Sequence, residues 1–167
     1  MIVRAWRLVR EKRAADAFTG EGARLYGGRW NPPGLRATYL SAARSLAALE
    51  VLVHEAERVP SGRFLFFEVR FAEALIEEVS VDLLDADWRS YPPRKSTIEI
   101  GRRWIQSGTS AVLRVPSQMI PEESNYIVNP EHPRSEEVEI QDPQPFTFGP
   151  RMRAKPGLPL IPSQPPR

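Results

Sequence analysis

Between Gly20 and Gly34 the chain reads Gly-Glu-Gly-Ala-Arg-Leu-Tyr-Gly-Gly-Arg-Trp-Asn-Pro-Pro-Gly, with five glycines and two prolines. Glycine loses the most backbone entropy in a helix, and proline lacks the N–H that a helix or central strand needs. No helix is therefore expected to run through this segment. The expectation is a structured loop whose glycines let the main chain bend sharply and approach a ligand or a neighbouring element. The core must then come from the flanking sequence.

Those flanks supply short strands and one long helix. Residues 2–9 read as a strand with Val3, Ala5 and Leu8 or Val9 turned inward, and 37–40 as a second. Ser41 is placed as the N-cap of a helix running to residue 58, free of Gly and Pro. Its apolar arc is Leu46, Leu49, Leu52, Val53 and Ala56, with Glu50 and His54 one turn apart on the shoulder. Residues 64–71 alternate, with Leu65, Phe67, Val69 and Phe71 on one face and Glu68 and Arg70 on the other. Further strands are expected at 75–81, 111–115, 124–128, 138–140 and 146–148, and a short helix over 96–106. The fold class is α+β, a small mixed β-sheet with packed helices around a central cleft.

The 167 residues are 41% hydrophobic and 26% charged, as in a single globular domain. With no Cys there is no disulfide framework, thiolate nucleophile or Cys-ligated metal, and two His alone make a poor metal set, so no metal is expected. The basic start is not followed by an apolar run, and no stretch approaches about 18 apolar residues, so a cytoplasmic protein without membrane contact is expected. Residues 1–49 carry nine basic and three acidic groups and 50–100 carry six and eleven. No Lys/Arg block stands out, which disfavours nucleic-acid binding and suits a smaller anionic ligand. Eight of the 17 prolines lie between Pro143 and Pro166, dividing the chain into a body over 1–148 and a proline-rich tail over 149–167.

Three groups of residues carry candidate chemistry. Gly27-Gly28-Arg29 combines close main-chain approach with a guanidinium whose planar donors match phosphate or carboxylate; a glycine turn with Arg29 in a structural salt bridge is the plainer alternative. Trp30 reads as core. Glu50 borders an apolar helix face, so it is either a satisfied ion pair or a carboxylate held dry for catalysis. His54 would pair with it or lie at the surface. Ser117 follows a strand at Val115-Pro116 without a Gly-x-Ser-x-Gly elbow, which favours hydrogen bonding over covalent catalysis. Asn129-Pro130 and His132-Pro133 are turn chemistry.

Together, Gly20-x-Gly22-Ala23, Gly27-Gly28-Arg29-Trp30-Asn31, Tyr39-Leu40-Ser41, Leu49-Glu50, Val115-Pro116-Ser117 and Glu123-x-Asn125-Tyr126-x-x-Asn129-Pro130-x-His132-Pro133 resemble the RES-domain family over roughly residues 1–145. The Arg, Glu and Ser of that family fall on Arg29, Glu50 and Ser117. The resemblance implies an ADP-ribosyltransferase-like fold and the toxin of a bacterial toxin–antitoxin pair. Its antitoxin would be a helix-turn-helix protein of the Xre type, in a heteromeric complex containing toxin dimers. It implies attack on NAD+, by degradation at the nicotinamide–ribose bond or by transfer of ADP-ribose to a protein; a non-catalytic anion-binding module is the remaining alternative. Arg29 and the Gly28 main chain would bind the phosphates, Glu50 the nicotinamide ribose, and Tyr39 would stack on nicotinamide. Ser117 would bond the ribose or steady Glu50, with Asn125 and His54 in support.

Overall fold

In the computed structural model, residues 1–54 and 60–149 are described. Eight strands form one mixed sheet: β1 (Ile2–Arg10), β2 (Thr38–Ser41), β3 (Phe64–Ala72), β4 (Ile76–Glu78), β5 (Val112–Pro116), β6 (Ser124–Val128), β7 (Glu139–Ile140) and β8 (Gln144–Phe146). Their order is β4-β5-β6-β2-β1-β3-β7, with β8 also on β3; β4 and β5 are parallel and the other pairs antiparallel. The helices are α1 (Glu21–Tyr26), α2 (Arg44–His54) and α3 (Lys95–Ser107). This is the α+β arrangement expected, and the strands fall within a few residues of their expected places.

Both faces of the sheet are covered, which explains the imperfect alternation of the strand sequences. One face carries Ala5, Leu40, Val69, Phe71, Val112, Tyr126 and Val128. The opposite face holds two separate clusters. The first joins Trp30, Trp88, Trp104, Ile105, Leu113, Val115 and Ile127 beneath α3. The second joins Leu8, Ala47, Phe64, Phe66 and Phe148 beneath α2. Leu8 therefore belongs to a different cluster from Ala5, and Phe64 and Phe66 are buried opposite Val69 and Phe71.

Three expectations need correction. A six-residue helix, α1, does fit inside the glycine-rich run, because Gly20 (φ 69) and Gly27 (φ 71) terminate it at both ends in backbone conformations that glycine adopts freely. Ser41 does not cap α2; it is the last residue of β2, paired with Trp6 and Asn125, and the helix begins three residues later. The buried face of α2 is also rotated from the predicted arc. Leu46 and Ala47 are buried and Ala48, Val51 and Leu52 pack on the cluster, whereas Val53 is 43% exposed. The small Ala47 and Ala48 let the helix lie close over Trp6 and Phe66, and that rotation carries Glu50 toward the sheet. Residues 55–58 of the expected helix, Ala56 included, and residues 150–167 of the expected tail lie outside the described residues. The strands at 139–140 and 144–146 both pair with β3.

Candidate active site

Across the sheet, Val115, Asn125, Ser41 and Trp6 are register partners on four successive strands and so share one face. Val115 belongs to the cluster under α3 and Trp6 packs on the cluster under α2. The two residues between them, Asn125 and Ser41, are polar, so the sheet presents a polar seam where its two apolar clusters part. Glu50 reaches this seam from α2: its Oε1 accepts a hydrogen bond from Asn125 Nδ2 at 2.9 Å, linking residues 75 apart in the chain. That bond fixes the Asn125 amide, since its donor must face the carboxylate, and Asn125 Oδ1 is left buried without a partner among the described residues. Glu50 Oε2 carries no hydrogen bond among the described residues.

The glycine loop forms the other wall. Asn31 is fully buried at its centre, with Nδ2 donating to the carbonyls of Ala23, Pro32 and Leu35 at 2.9–3.1 Å. Its Oδ1 accepts from the Tyr39 hydroxyl at 2.8 Å, and the same hydroxyl accepts the Trp30 N–H at 3.1 Å. Burial pushes the Tyr39 phenol above its ordinary pKa, so it stays a neutral donor. Gly28 lies against this pair: a Cβ there would come within 2.6 Å of Tyr39 Oη. Trp30 is core, as expected, and the carbonyl of Trp30 is pressed against Gly101 of α3.

Arg29 leaves this loop half-buried. Its Nη1 donates to Trp88 O at 2.6 Å and its Nη2 to Ser90 O at 3.1 Å. Carbonyls orient a guanidinium without neutralising it, and among the described residues Arg29 has no ion pair, so the salt-bridge alternative finds no partner there. Burial pulls its pKa down, while the Glu50 carboxylate opposes that pull. Glu50 thus bears on the charge of Arg29, and no hydrogen bond or ion pair joins the two among the described residues. An oriented cation and an oriented carboxylate in one neighbourhood can hold a ligand that is anionic at one part and electron-poor at another.

The remaining expected residues take different places. Ser117 is fully buried, and its Oγ accepts the N–H groups of Met119 and Ile120 at 3.1 and 3.3 Å, organising the turn after β5. It makes no hydrogen bond to Glu50. His54 is exposed at the end of α2 and has no hydrogen bond to Glu50 among the described residues. His132 is a turn residue: its Nδ1 accepts the Arg134 N–H, so Nε2 carries the proton and donates to Gly108 O at 3.0 Å. Among the described residues no group of three His, Cys, Asp or Glu is placed to hold a metal, and no helix is long and apolar enough to cross a membrane.

Sequence reasoning missed the loop that receives Arg29. Its contribution is main-chain carbonyl, which any residue supplies, so no sequence signal marks it. It also gave Asn31 no role, although an Asn between glycines and prolines is a residue type suited to holding several carbonyls at once.

The RES domain profile matches residues 4–149. A protein of Yersinia enterocolitica named Toxin Res is 37% identical over 150 residues, covering 89% of this chain and 98% of the relative. A protein of Sphingobium sp. named Prs ADP-ribosylating toxin is 33% identical over 156 residues, covering 90% and 96%. Among solved structures, the M. tuberculosis MbcT-MbcA toxin-antitoxin complex contains a chain that superposes with a TM-score of 0.73 at 18% identity, covering 88% of this chain and 85% of that one. The last likeness is one of fold, and it agrees with the class expected from the sequence. With the family's model matching almost the whole described body, and relatives of 33–37% identity covering about nine-tenths of the chain, this chain belongs to the RES domain family.

Proposed function

We propose that this chain is the toxin of a toxin–antitoxin pair and that it acts on NAD+, cleaving the nicotinamide–ribose bond and so arresting growth. The observation that carries this reading is the pairing of an un-neutralised guanidinium, Arg29, with a carboxylate, Glu50, that Asn125 holds within its electrostatic reach. The names of the relatives from Yersinia and Sphingobium support it. In the reaction the bond from ribose C1′ to the pyridinium nitrogen breaks with both electrons going to nitrogen. Neutral nicotinamide leaves, and C1′ takes on oxocarbenium character. A nucleophile then bonds to C1′ and releases its proton.

Each residue has one part. Arg29 and the Gly28 main chain hold the pyrophosphate. Glu50, held by Asn125, sits against the nicotinamide ribose and offsets the charge that grows there. The hydroxyl of Tyr39 is engaged within the loop, so its ring face is what it offers to nicotinamide. Ser117 shapes the turn beside the site, and His54 stands at its rim. The functional body is residues 1–148, with the proline-rich tail following.

Water or phosphate as nucleophile makes the enzyme an NAD+-degrading one, which is the reading preferred here. A protein acceptor would make it an ADP-ribosyltransferase, which the Sphingobium relative's name favours. Incubating the purified chain with adenine-labelled NAD+ separates these. Free nicotinamide with free ADP-ribose or its phosphate supports degradation, and label on protein supports transfer. Intact NAD+ would leave only an anion-binding module.

The solved structure of similar fold is of a toxin–antitoxin complex, which supports a protein antitoxin as partner. We propose one of the Xre helix-turn-helix type, in a heteromeric complex containing toxin dimers. Co-expression with the neighbouring reading frame, followed by mass measurement of the purified complex, tests both. NAD+ is a metabolite of the cell interior, so the reading carries a cytoplasmic location with it.

A further inference from the structure

The tripeptide Trp88-Arg89-Ser90 spans the gap between the two ends of the family motif. On one side the carbonyls of Trp88 and Ser90 receive the Arg29 guanidinium at 2.6 and 3.1 Å. On the other, the Arg89 carbonyl accepts Gln118 Nε2 at 2.8 Å, while the Arg89 side chain donates from Nε to Gln118 O at 2.9 Å and from Nη2 to Met119 O at 3.4 Å. The turn that presents Gln118 and Met119 is the one Ser117 Oγ organises from below. Beneath the strap, the Trp88 ring is buried 6.4 Å from that of Trp30. A continuous run of hydrogen bonds therefore leads from Ser117 through the 118–119 turn and Arg89 to Arg29.

Arg89, like Arg7 and Arg29, donates to main-chain carbonyls, unlike the arginines of this chain that end on acidic side chains. Arg4, Arg24, Arg102 and Arg134 all end on carboxylates. Arg89 has no ion pair among the described residues and spends its donors on two main-chain carbonyls of a turn. That is the behaviour of a side chain fastening two loops together, since a planar guanidinium can bridge adjacent acceptors that a point charge cannot. The strap it fastens supplies the two carbonyls that fix the direction of Arg29.

We propose that Arg89, with Gln118, is a positioning pair for Arg29: it locks the 88–90 strap to the Ser117 turn, and the strap aims the Arg29 guanidinium at the dinucleotide's phosphates. The proposal rests on the reading of Arg29 as the phosphate anchor. It also gives Ser117 a place in the family motif without contact between its hydroxyl and the substrate.

The test is a thermodynamic cycle on ADP-ribose affinity, measured by calorimetry on the full chain, with NAD+ turnover and melting temperature recorded for each variant. Arg89→Ala is expected to weaken ADP-ribose binding on the order of tenfold and to raise KM for NAD+ with kcat largely kept. Arg89→Lys recovers part of the loss, because an ammonium reaches one carbonyl and not both. In an Arg29→Ala background, Arg89→Ala changes the affinity no further, within about twofold, because its effect passes through Arg29. Gln118→Leu, which alters no charge, weakens binding in the same direction and serves where Arg89→Ala fails to fold. Additive losses from Arg29→Ala and Arg89→Ala would make Arg89 an independent phosphate ligand and overturn the proposal. So would a lowered melting temperature with unchanged affinity, or a silent Gln118→Leu. Wild-type protein that neither binds ADP-ribose nor cleaves NAD+ would instead remove the functional reading beneath it.

Discussion

Gly28 has no room for a side chain, and the reason lies in one hydrogen bond. An added Cβ would stand 2.6 Å from Tyr39 Oη and 2.9 Å from Asn31 Oδ1, the two atoms whose bond ties the glycine loop to β2. Gly28→Ala should cost about 1–3 kcal/mol of stability, read from denaturant melts. Tyr39→Phe should cost a similar amount by leaving Asn31 Oδ1 buried and unpaired. Because the second substitution removes the atom that the first collides with, the double variant should lose less than the sum. At Glu50, replacement by Gln keeps an oxygen for Asn125 and removes only the charge. It should lower kcat by roughly 10²–10³-fold, about 2.7–4 kcal/mol, while ADP-ribose affinity stays near wild type; an equal loss in both would place Glu50 in ground-state binding. At this scale the sequence was informative where identity carries chemistry. Arg29, Glu50 and Asn125 could be singled out by residue type and motif. The partners of Arg29, 59 and 61 residues away, could not, because carbonyls leave no mark in a sequence.

The elements were legible where a strand had its own apolar pattern and misread where packing set the orientation. β3 and β6 fall almost where their composition puts them, whereas the buried face of α2 follows from what lies beneath it and not from its richest apolar arc. α3 shows the same dependence through Gly101, whose absent side chain admits the main chain of the glycine loop. A Cβ at Gly101 would lie 1.6 Å from Trp30 O, a main-chain atom that no rotamer change can move. Gly101→Ala should therefore drive α3 away from the loop, destabilising the protein by at least about 1–3 kcal/mol and weakening ADP-ribose binding through the displaced Arg29. The β1–β3 pair carries a pH dependence of its own. Hydrogen bonds from Arg4, then from Arg70, hold the Glu68 carboxyl at about 2, below its ordinary 4.5. Between those values the unfolded chain binds a proton that the folded one does not. The stabilisation is thus present above pH 4.5 and lost as pH falls toward about 2. Melting temperatures followed over that window should fall less steeply for Glu68→Gln than for wild type.

The folded body closes on two aromatic rings near residue 148. Phe148 is buried against Phe64, at a centroid distance of 5.3 Å, and the partly buried Phe146 packs on Phe66 at 4.9 Å. The family match stops at residue 149. A chain cut after Gly149 should keep the melting temperature and NAD+ turnover of the full protein. A chain cut after Asp142 should lose both, since removing even one such ring typically costs about 3–5 kcal/mol. On the proposed reading as a toxin, the architecture has a further consequence for when the protein becomes active. Arg29 depends on residues near 90, Glu50 on Asn125, and the cluster under α2 on Phe148. No early fragment can assemble these partnerships. A ribosome making this chain would carry a harmless product until nearly the last of the folded body had emerged, which leaves translation time for a partner to be waiting.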